Sequence, residues 1–343
     1  MPDLRRDPIV GRWVIISTER GVRPRDFVPD HQARQPTTGL CPFCPGQEKL
    51  TPHEVLAYRP NGGEPNDRGW TVRVIPNKFP ALQVEGDMGR EGIGLYDRMN
   101  GIGAHEVIIE TDDHKTQLAD GSAKQIEDVL WAYRDRVVDL KRDLRFRYIL
   151  IFKNHGAAAG ATMEHSHSQL IALPVVPTSV LNEIEGCRSH FQKKERCIYC
   201  DIVRQELADA ERVVHESERF LAVVPYAGRG PFELWILPRQ HAAAYEDALS
   251  GDLVADLARM VAGCFRTLAR ALGDPSVEMT LYTAPNRGAK VLAGEWATLA
   301  DDYHWHIGVI PGPERLKRVG GIYVTDTAPE AAASRLRDAW AQG

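Results

Sequence analysis

The sequence lacks any apolar run of membrane-spanning length, and its first residues, Met1-Pro-Asp-Leu-Arg-Arg-Asp7, contain no apolar signal core. A spanning helix needs about 20 apolar residues in a row, so no membrane association is expected and the protein reads as cytoplasmic. Positive charge is also in short supply. Lys+Arg number 42 against 47 Asp+Glu, a net charge of -5, which offers no pull toward nucleic acid or anionic lipid. Cysteine is scarce, six in 343 residues, too few for a disulfide scaffold. What is present is the composition of an ordinary globular protein, long enough for two domains with cores of their own. Four of the six cysteines form two Cys-x-x-Cys pairs, Cys41/Cys44 and Cys197/Cys200, a spacing that points to metal or redox chemistry. Cys187 and Cys264 have no such neighbour, and Cys264 falls at a helical core position.

The stretch Asn154-His-Gly-Ala-Ala-Ala-Gly160-Ala-Thr-Met-Glu-His165-Ser-His167-Ser-Gln169 is the most informative. It runs into the apolar segment Leu170 to Pro174, which reads as a buried strand. Side chains alternate along a strand, so His165, His167 and Gln169 share one face. The small-residue loop before them lets backbone N–H groups approach a phosphate. Two imidazoles and an amide beside such a loop point to chemistry at phosphorus.

Around that stretch the chain repeats itself. Each half offers a Cys-x-x-Cys, a strand whose Glu (Glu106, Glu233) precedes a His (His114, His241) by eight residues, a long amphipathic helix (122–143, 252–272) and a closing His-x-His strand. The boundary falls near residues 178–195, giving halves of 1–180 and 181–343. Two ligand sets follow from the repeat: Cys41, Cys44, His114 and His165, then Cys197, Cys200, His241 and His304. Two thiolates and two imidazoles suit tetrahedral zinc, and four protein ligands make each zinc structural. With His165 held by metal, His167 is the free imidazole beside the loop, able to attack phosphorus and carry a nucleotidyl group. Gln169 can donate to a phosphoryl oxygen. In the second half Gly308 stands where Gln169 would be, and the loop before His306 carries Glu295, Asp301 and Asp302, which would repel phosphate.

These residues resemble the histidine-triad superfamily, and within it the galactose-1-phosphate uridylyltransferase branch. The likeness includes Asp7-Pro-Ile-Val-Gly-Arg-Trp, Arg20-Gly-Val-Arg23-Pro, Cys41-Pro-Phe-Cys44, Pro76-Asn77-Lys-Phe79-Pro, Asp113-His114, the central stretch and Pro238-Arg-Gln-His241. His165-Ser-His-Ser-Gln169 with the second Cys-x-x-Cys is similar to the plant-type ADP-glucose phosphorylases of that branch. The resemblance implies an α+β fold of two tandem halves with antiparallel sheets and packed helices, a homodimer, and ping-pong transfer of a nucleoside monophosphate through His167. It implies that Asn77 and Phe79 line the nucleoside pocket, that Asn154, Gly160, Ala161, Thr162 and Gln169 hold the α-phosphate, and that Arg20 and Arg23 reach phosphates, across a dimer interface. Two positions depart from the pattern. Tyr282 stands before Thr283-Ala-Pro where some members have a metal-binding His, and Arg318-Val-Gly-Gly-Ile-Tyr-Val324 has no Glu to hold hexose hydroxyls.

The reaction expected first is transfer of UMP from UDP-glucose to a hexose 1-phosphate, galactose 1-phosphate in the branch. The alternative is phosphorolysis of an ADP-sugar or dinucleotide. A zinc-stabilised nucleotide-binding module without catalysis has no need of His167 with Gln169. A Cys-x-x-Cys oxidoreductase would require a βαβ context that is missing.

Overall fold

The strand that carries His167 forms because three polar residues run into a continuous apolar segment buried in the sheet, and the rest of the fold is arranged to cover both its faces. The structure is a computed structural model that describes residues 3–16, 40–289 and 296–342. In chain order the first half contains β1 (Asp3–Arg6), β2 (Trp13–Ile16), β3 (Leu56–Tyr58), β4 (Val72–Pro76), the hairpin β5 (Glu91–Ile93) and β6 (Tyr96–Arg98), and β7 (Ala104–Ile109). It continues with α1 (Ala123–Leu140), β8 (Tyr148–His155) and β9 (His167–Leu173). Helices α2 (Thr178–Lys194) and α3 (Ile198–Asp209) lead to β10 (Val213–Glu216), β11 (Phe220–Val223) and β12 (Leu234–Pro238). Then come α4 (Tyr245–Ala248), α5 (Gly251–Leu272), β13 (Val277–Tyr282), α6 (Leu299–Asp302), β14 (His306–Pro311), β15 (Lys317–Val319), β16 (Ile322–Thr325) and α7 (Pro329–Ala341).

The described residues include a ten-stranded sheet in the order β3-β4-β7-β9-β8-β13-β14-β12-β11-β10, and its pairings are antiparallel. Read inward from either end, the order of equivalent strands is the same. The repeat in the sequence is therefore a repeat in topology, and the fold is α+β as expected. The sheets of the two halves are not separate, however. β8 pairs with β13 from Val277↔His155 to Leu281↔Ile151, which joins them into one. Each of those strands would otherwise be an open edge with unpaired backbone groups. A smaller sheet, β1-β2-β16-β15, sets β2 parallel to β16, so the start of the chain packs with its end.

On one sheet face, Ile149, Ile151, Leu170 and Ala172 pack against α1, α5 and α7 in a core continuous across both halves. Burying each large aliphatic side chain there stabilises the fold by about 1.5–3 kcal/mol. The expected apolar stripe of α1 (Ile126, Val129, Leu130, Tyr133, Val137, Leu140) is buried, and Ser122 caps the helix by accepting from the Gln125 N–H at 3.1 Å. Arg136 on α1 donates twice, at 2.7 Å each, to the buried Glu106 of β7, which pins helix to sheet. On the other face, Tyr148, Leu221, Val223 and Leu237 pack under α2 and α3. Among the described residues no helix is long and apolar enough to cross a membrane.

Candidate active site and metal-ligand clusters

Thiols and imidazoles distant in sequence converge at two places on the sheet. Cys41, Cys44, His114 and His165 bring one ligand atom each within 4.8 Å of all the others, and Cys197, Cys200, His241 and His304 do the same. In the first set Cys44 Sγ lies 3.5 Å from His114 Nδ1 and 3.7 Å from His165 Nδ1, and Cys41 Sγ lies 3.7 Å from His165 Nδ1. In the second set Cys200 Sγ lies 3.5 Å from His241 Nδ1 and 3.7 Å from His304 Nδ1, and Cys197 Sγ lies 3.8 Å from His304 Nδ1. Those spacings match the edges of a tetrahedron about an ion with bonds of about 2.0–2.3 Å.

The far side of three of the four rings agrees with this. His165 Nε2 is 2.8 Å from the Thr111 carbonyl, His241 Nε2 2.9 Å from that of Ala300, and His304 Nε2 3.1 Å from that of Pro238. A carbonyl only accepts, so Nε2 carries the hydrogen and Nδ1 presents its lone pair to the cluster. Burial and the neighbouring Cys41 sulfur push the Cys44 thiol up to about 11. Two thiolates persist side by side there only with a cation between them. Both sets can hold a metal ion.

His165 and His167 leave the chain on one face, but only His165 belongs to a cluster. His167 is buried, and its Nδ1 lies 2.8 Å from the His165 carbonyl. Nδ1–H therefore donates, and Nε2 keeps the lone pair that a nucleophile needs. Burial lowers the basicity of the ring below the ordinary value; the carbonyl bond restores part of it and the nearby Lys153 ammonium lowers it again. Phe43, between the first two cysteines, meets the His167 ring edge-on with centroids 5.5 Å apart.

The opposite face of the same strand holds a buried polar layer. Lys153 Nζ donates to Glu110 Oε2 at 2.6 Å, to Ser166 Oγ at 3.0 Å and to the His167 carbonyl at 3.2 Å. Ser166 donates to Glu110 Oε2 at 2.6 Å, and the Ser168 and Tyr133 hydroxyls also bond to this carboxylate. Burial alone would raise the Glu110 carboxyl; Lys153 and the two serines overcome it and hold the group below the ordinary carboxylate range. The backbone of His167 is thus held from beneath by an ion pair.

Gln169 sits two residues on, half-buried, with Oε1 2.8 Å from His105 Nε2. Asn77 Nδ2 lies 3.1 Å from the same nitrogen, and Asn77 Oδ1 accepts the Phe79 N–H at 3.0 Å. The residues expected on the nucleoside side and on the phosphate side therefore meet at His105, which sequence reasoning passed over. The period-two alternation of β7 was the available signal. Val107 pairs with Gln169 and His105 with Ile171, so His105 and Gln169 share a face. Phe79 is 83% exposed at the rim. Asn154 is the penultimate residue of β8, and carrying the Phe152↔Gln169 register on by two residues sets it beside His167.

Gly156 and Gly160 take φ of 85° and 89°, conformations that favour glycine. The loop between them closes on itself. Gly160 N–H donates to the Ala157 carbonyl at 2.9 Å and Ala161 N–H to that of Gly156 at 3.1 Å. Of the residues expected at the α-phosphate, Asn154, Thr162 and Gln169 have polar groups that this turn does not use. Arg20 and Arg23 lie outside the described residues.

The second half repeats the ligand cluster and the second imidazole, with Gly308 where the first half has Gln169. His306 Nδ1 lies 3.1 Å from the His304 carbonyl, and Tyr199 packs on its ring at 4.8 Å as Phe43 packs on His167. Burial lowers His306 to about 3. Tyr282, paired across from His306, stacks on it at 4.6 Å and 14°, and a Cβ at Gly308 would meet that tyrosine ring at 3.3 Å. A tyrosine thus fills the place that Gln169 has in the first half. The cavity there, about 440 Å³, is lined by Asp7, Glu183, Glu233 and Glu278, while Arg12 and Arg229 are paired to Asp7 and Glu233. Of the acidic residues expected before His306, Asp301 is exposed. Asp302 is buried and accepts from Thr298 at 2.6 Å, and Glu295 lies outside the described residues.

The family described as galactose-1-phosphate uridyl transferase, N-terminal domain, matches residues 1–177, and its C-terminal domain matches residues 183–272. ADP-glucose phosphorylase of Arabidopsis thaliana is 34% identical over 98% of this chain and 93% of its own length. Galactose-1-phosphate uridylyltransferase of Haemophilus influenzae is 30% identical over 98% of this chain and 94% of its own. The crystal structure of the Arabidopsis thaliana ADP-glucose phosphorylase with bound ADP-glucose superposes with a TM-score of 0.80 at 33% identity, covering 98% of each chain. A solved uridylyltransferase gives 0.74 at 26% identity, covering 100% of this chain and 99% of that one.

Proposed function

The chain belongs to the galactose-1-phosphate uridyl transferase family, and we propose that His167 is the nucleophile through which it works. It is a nucleotidyltransferase of the uridylyltransferase type, acting on nucleotide sugars. In our reading His167 Nε2 attacks the α-phosphorus of a nucleoside-diphosphate sugar. An N–P bond forms, the bond from phosphorus to the sugar-phosphate oxygen breaks, and the electron pair leaves with the sugar 1-phosphate. The Nδ1–H bond to the His165 carbonyl supports the positive charge that the ring acquires, and the Gln169 amide donates to the α-phosphoryl oxygen. An acceptor phosphate oxygen then attacks the same phosphorus, and the imidazole departs with its electron pair. One observation carries the reading: the buried His167 has its Nε2 lone pair free, while the imidazole two residues earlier is directed into a ligand cluster.

Zinc suits both clusters, held by Cys41, Cys44, His114 and His165 and by Cys197, Cys200, His241 and His304. Bound there it supplies a structural staple, since four protein donors complete its shell. Asn77 and Phe79 form the nucleoside wall, and Asn154, Gly160, Ala161, Thr162 and Gln169 surround the α-phosphate, with Gly160 and Ala161 lending backbone shape. We assign phosphate binding to Arg20 and Arg23 as well, and a homodimer to the enzyme. The halves are 1–180 and 181–343, and the enzyme works in the cytoplasm.

UDP-glucose with a hexose 1-phosphate, galactose 1-phosphate in particular, is the first donor and acceptor pair. A second reading, phosphorolysis of ADP-glucose, draws support from the similarity over 98% of the chain to an ADP-glucose phosphorylase and from the β15–β16 hairpin, which offers no Glu to a hexose. Steady-state assays with UDP-glucose or ADP-glucose, each with galactose 1-phosphate or inorganic phosphate, separate the two. Higher kcat/KM for UDP-glucose with the hexose phosphate supports the first. Turnover of neither nucleotide sugar contradicts both.

A further inference from the structure

We infer that His105 is a positioning residue that fixes which end of the Gln169 amide faces the substrate. The inference rests on the reading of His167 and Gln169 given above. His105 stands in β7, and the hydrogen-bond network assigns its tautomer. The Ala81 N–H donates to His105 Nδ1 at 3.2 Å, so the neutral ring carries its hydrogen on Nε2. That hydrogen goes to Gln169 Oε1 at 2.8 Å, and Asn77 Nδ2, itself a donor, is an unbonded neighbour at 3.1 Å.

The consequence is electrostatic. An amide has one end that accepts and one that donates, and the two ends are nearly the same shape. With its oxygen held by His105, Gln169 presents its N–H groups to a phosphoryl oxygen. Released, the amide turns freely, and half of its orientations offer a carbonyl oxygen to an anion. The same ring holds the chain on the nucleoside side. Its Nδ1 takes the Ala81 N–H, and the Asn77 N–H donates to the His105 backbone carbonyl at 2.8 Å. The segment Asn77 to Ala81 and the phosphate-side glutamine thus both bond to His105, the segment through its backbone carbonyl and Nδ1 and the glutamine through Nε2–H.

The test is single-turnover formation of the enzyme-bound nucleotide, with KM and kcat measured beside it. The holoenzyme is given whichever of UDP-glucose and ADP-glucose the parent protein turns over faster. The variants are His105→Phe, His105→Gln, Gln169→Ala and the double His105→Phe/Gln169→Ala. A glutamine amide nitrogen sits where Nε2 does, so His105→Gln keeps the donor to Gln169. His105→Phe is expected to slow the step about tenfold or more, mainly in kcat, whereas His105→Gln stays within about threefold of the parent. In the double variant the loss should equal that of Gln169→Ala alone, because His105 acts through Gln169. Additive losses, or an equal fall in His105→Gln and His105→Phe at unchanged metal content, would overturn the inference. His167→Ala run alongside keeps the cases apart. If it still forms the adduct, the nucleophile assignment fails; if it is inactive while the His105 and Gln169 losses add, only the role of His105 fails.

Discussion

Replacing Lys153 by methionine should destabilise the protein far more than the loss of one surface charge would. The Lys153 and Glu110 side chains are each 2% exposed, and their charged atoms are 2.6 Å apart. At an effective dielectric constant of about 20 their attraction is about 6 kcal/mol. A desolvation cost of several kcal/mol per ion opposes it, so the intact pair contributes little net stability. Removing one partner leaves the whole cost of the other. Lys153→Met should therefore lose about 3–5 kcal/mol, read from urea unfolding of metal-replete protein near neutral pH. In Lys153→Met/Glu110→Gln no charge is left buried, and much of the loss should return. The pH dependence has a defined sign. In the parent Glu110 is held below the ordinary carboxylate pKa, so its contribution is present above that value and is lost as pH falls through the lower folded one. Without Lys153, burial raises the same carboxyl, which takes up a proton at higher pH. The deficit of Lys153→Met should thus be largest near neutrality and shrink toward acid. A deficit under about 1 kcal/mol, or a double variant whose loss is the sum of the singles, would refute the reasoning.

Other consequences are as direct. Metal analysis should find two zinc ions per chain, one for each Cys2His2 set, and Cys41→Ser or Cys197→Ser should each bring the content to one and lower the melting temperature; full occupancy in either variant contradicts the ligand assignment. Burial holds the Glu183 carboxyl at about 8, above its unfolded value, so the folded chain binds the extra proton and loses stability as pH rises. Glu183→Gln removes that loss, and its advantage in urea midpoint should grow between about pH 5 and pH 9; parallel profiles would contradict the assignment.

Much of the site was legible because its signals are local. Alternation along His165-Ser-His-Ser-Gln169 set which side chains share a face, and the recurrence of Cys-x-x-Cys, His and His-x-His at matching intervals indicated both ligand sets and the duplicated topology. The features that were not legible depend on pairings distant in sequence. Nothing in the periodicity of β8 or β13 says that they pair with each other and fuse the two sheets. Lys153 lies in β8 and Glu110 just after β7, and an isolated reading of either gives a surface charge. His105 is the second residue of β7, and its contact with Gln169 exists only because β7 lies beside β9. Tyr282 signalled the loss of a ligand, but only the strand register shows its ring over Gly308 in the place of a glutamine.

The central claim is that His167 Nε2 carries the nucleotide, and trapping that species tests it most directly. The protein is incubated with UDP-glucose or ADP-glucose, each radiolabelled in the α-phosphate, without acceptor, then quenched in alkali, digested and mapped by mass spectrometry. The account predicts one nucleoside monophosphate on His167, stable in alkali and lost in acid as a phosphoramidate is. It also predicts no adduct in His167→Ala at unchanged metal content. Label on a cysteine or on His306, or an undiminished adduct in His167→Ala, would contradict it.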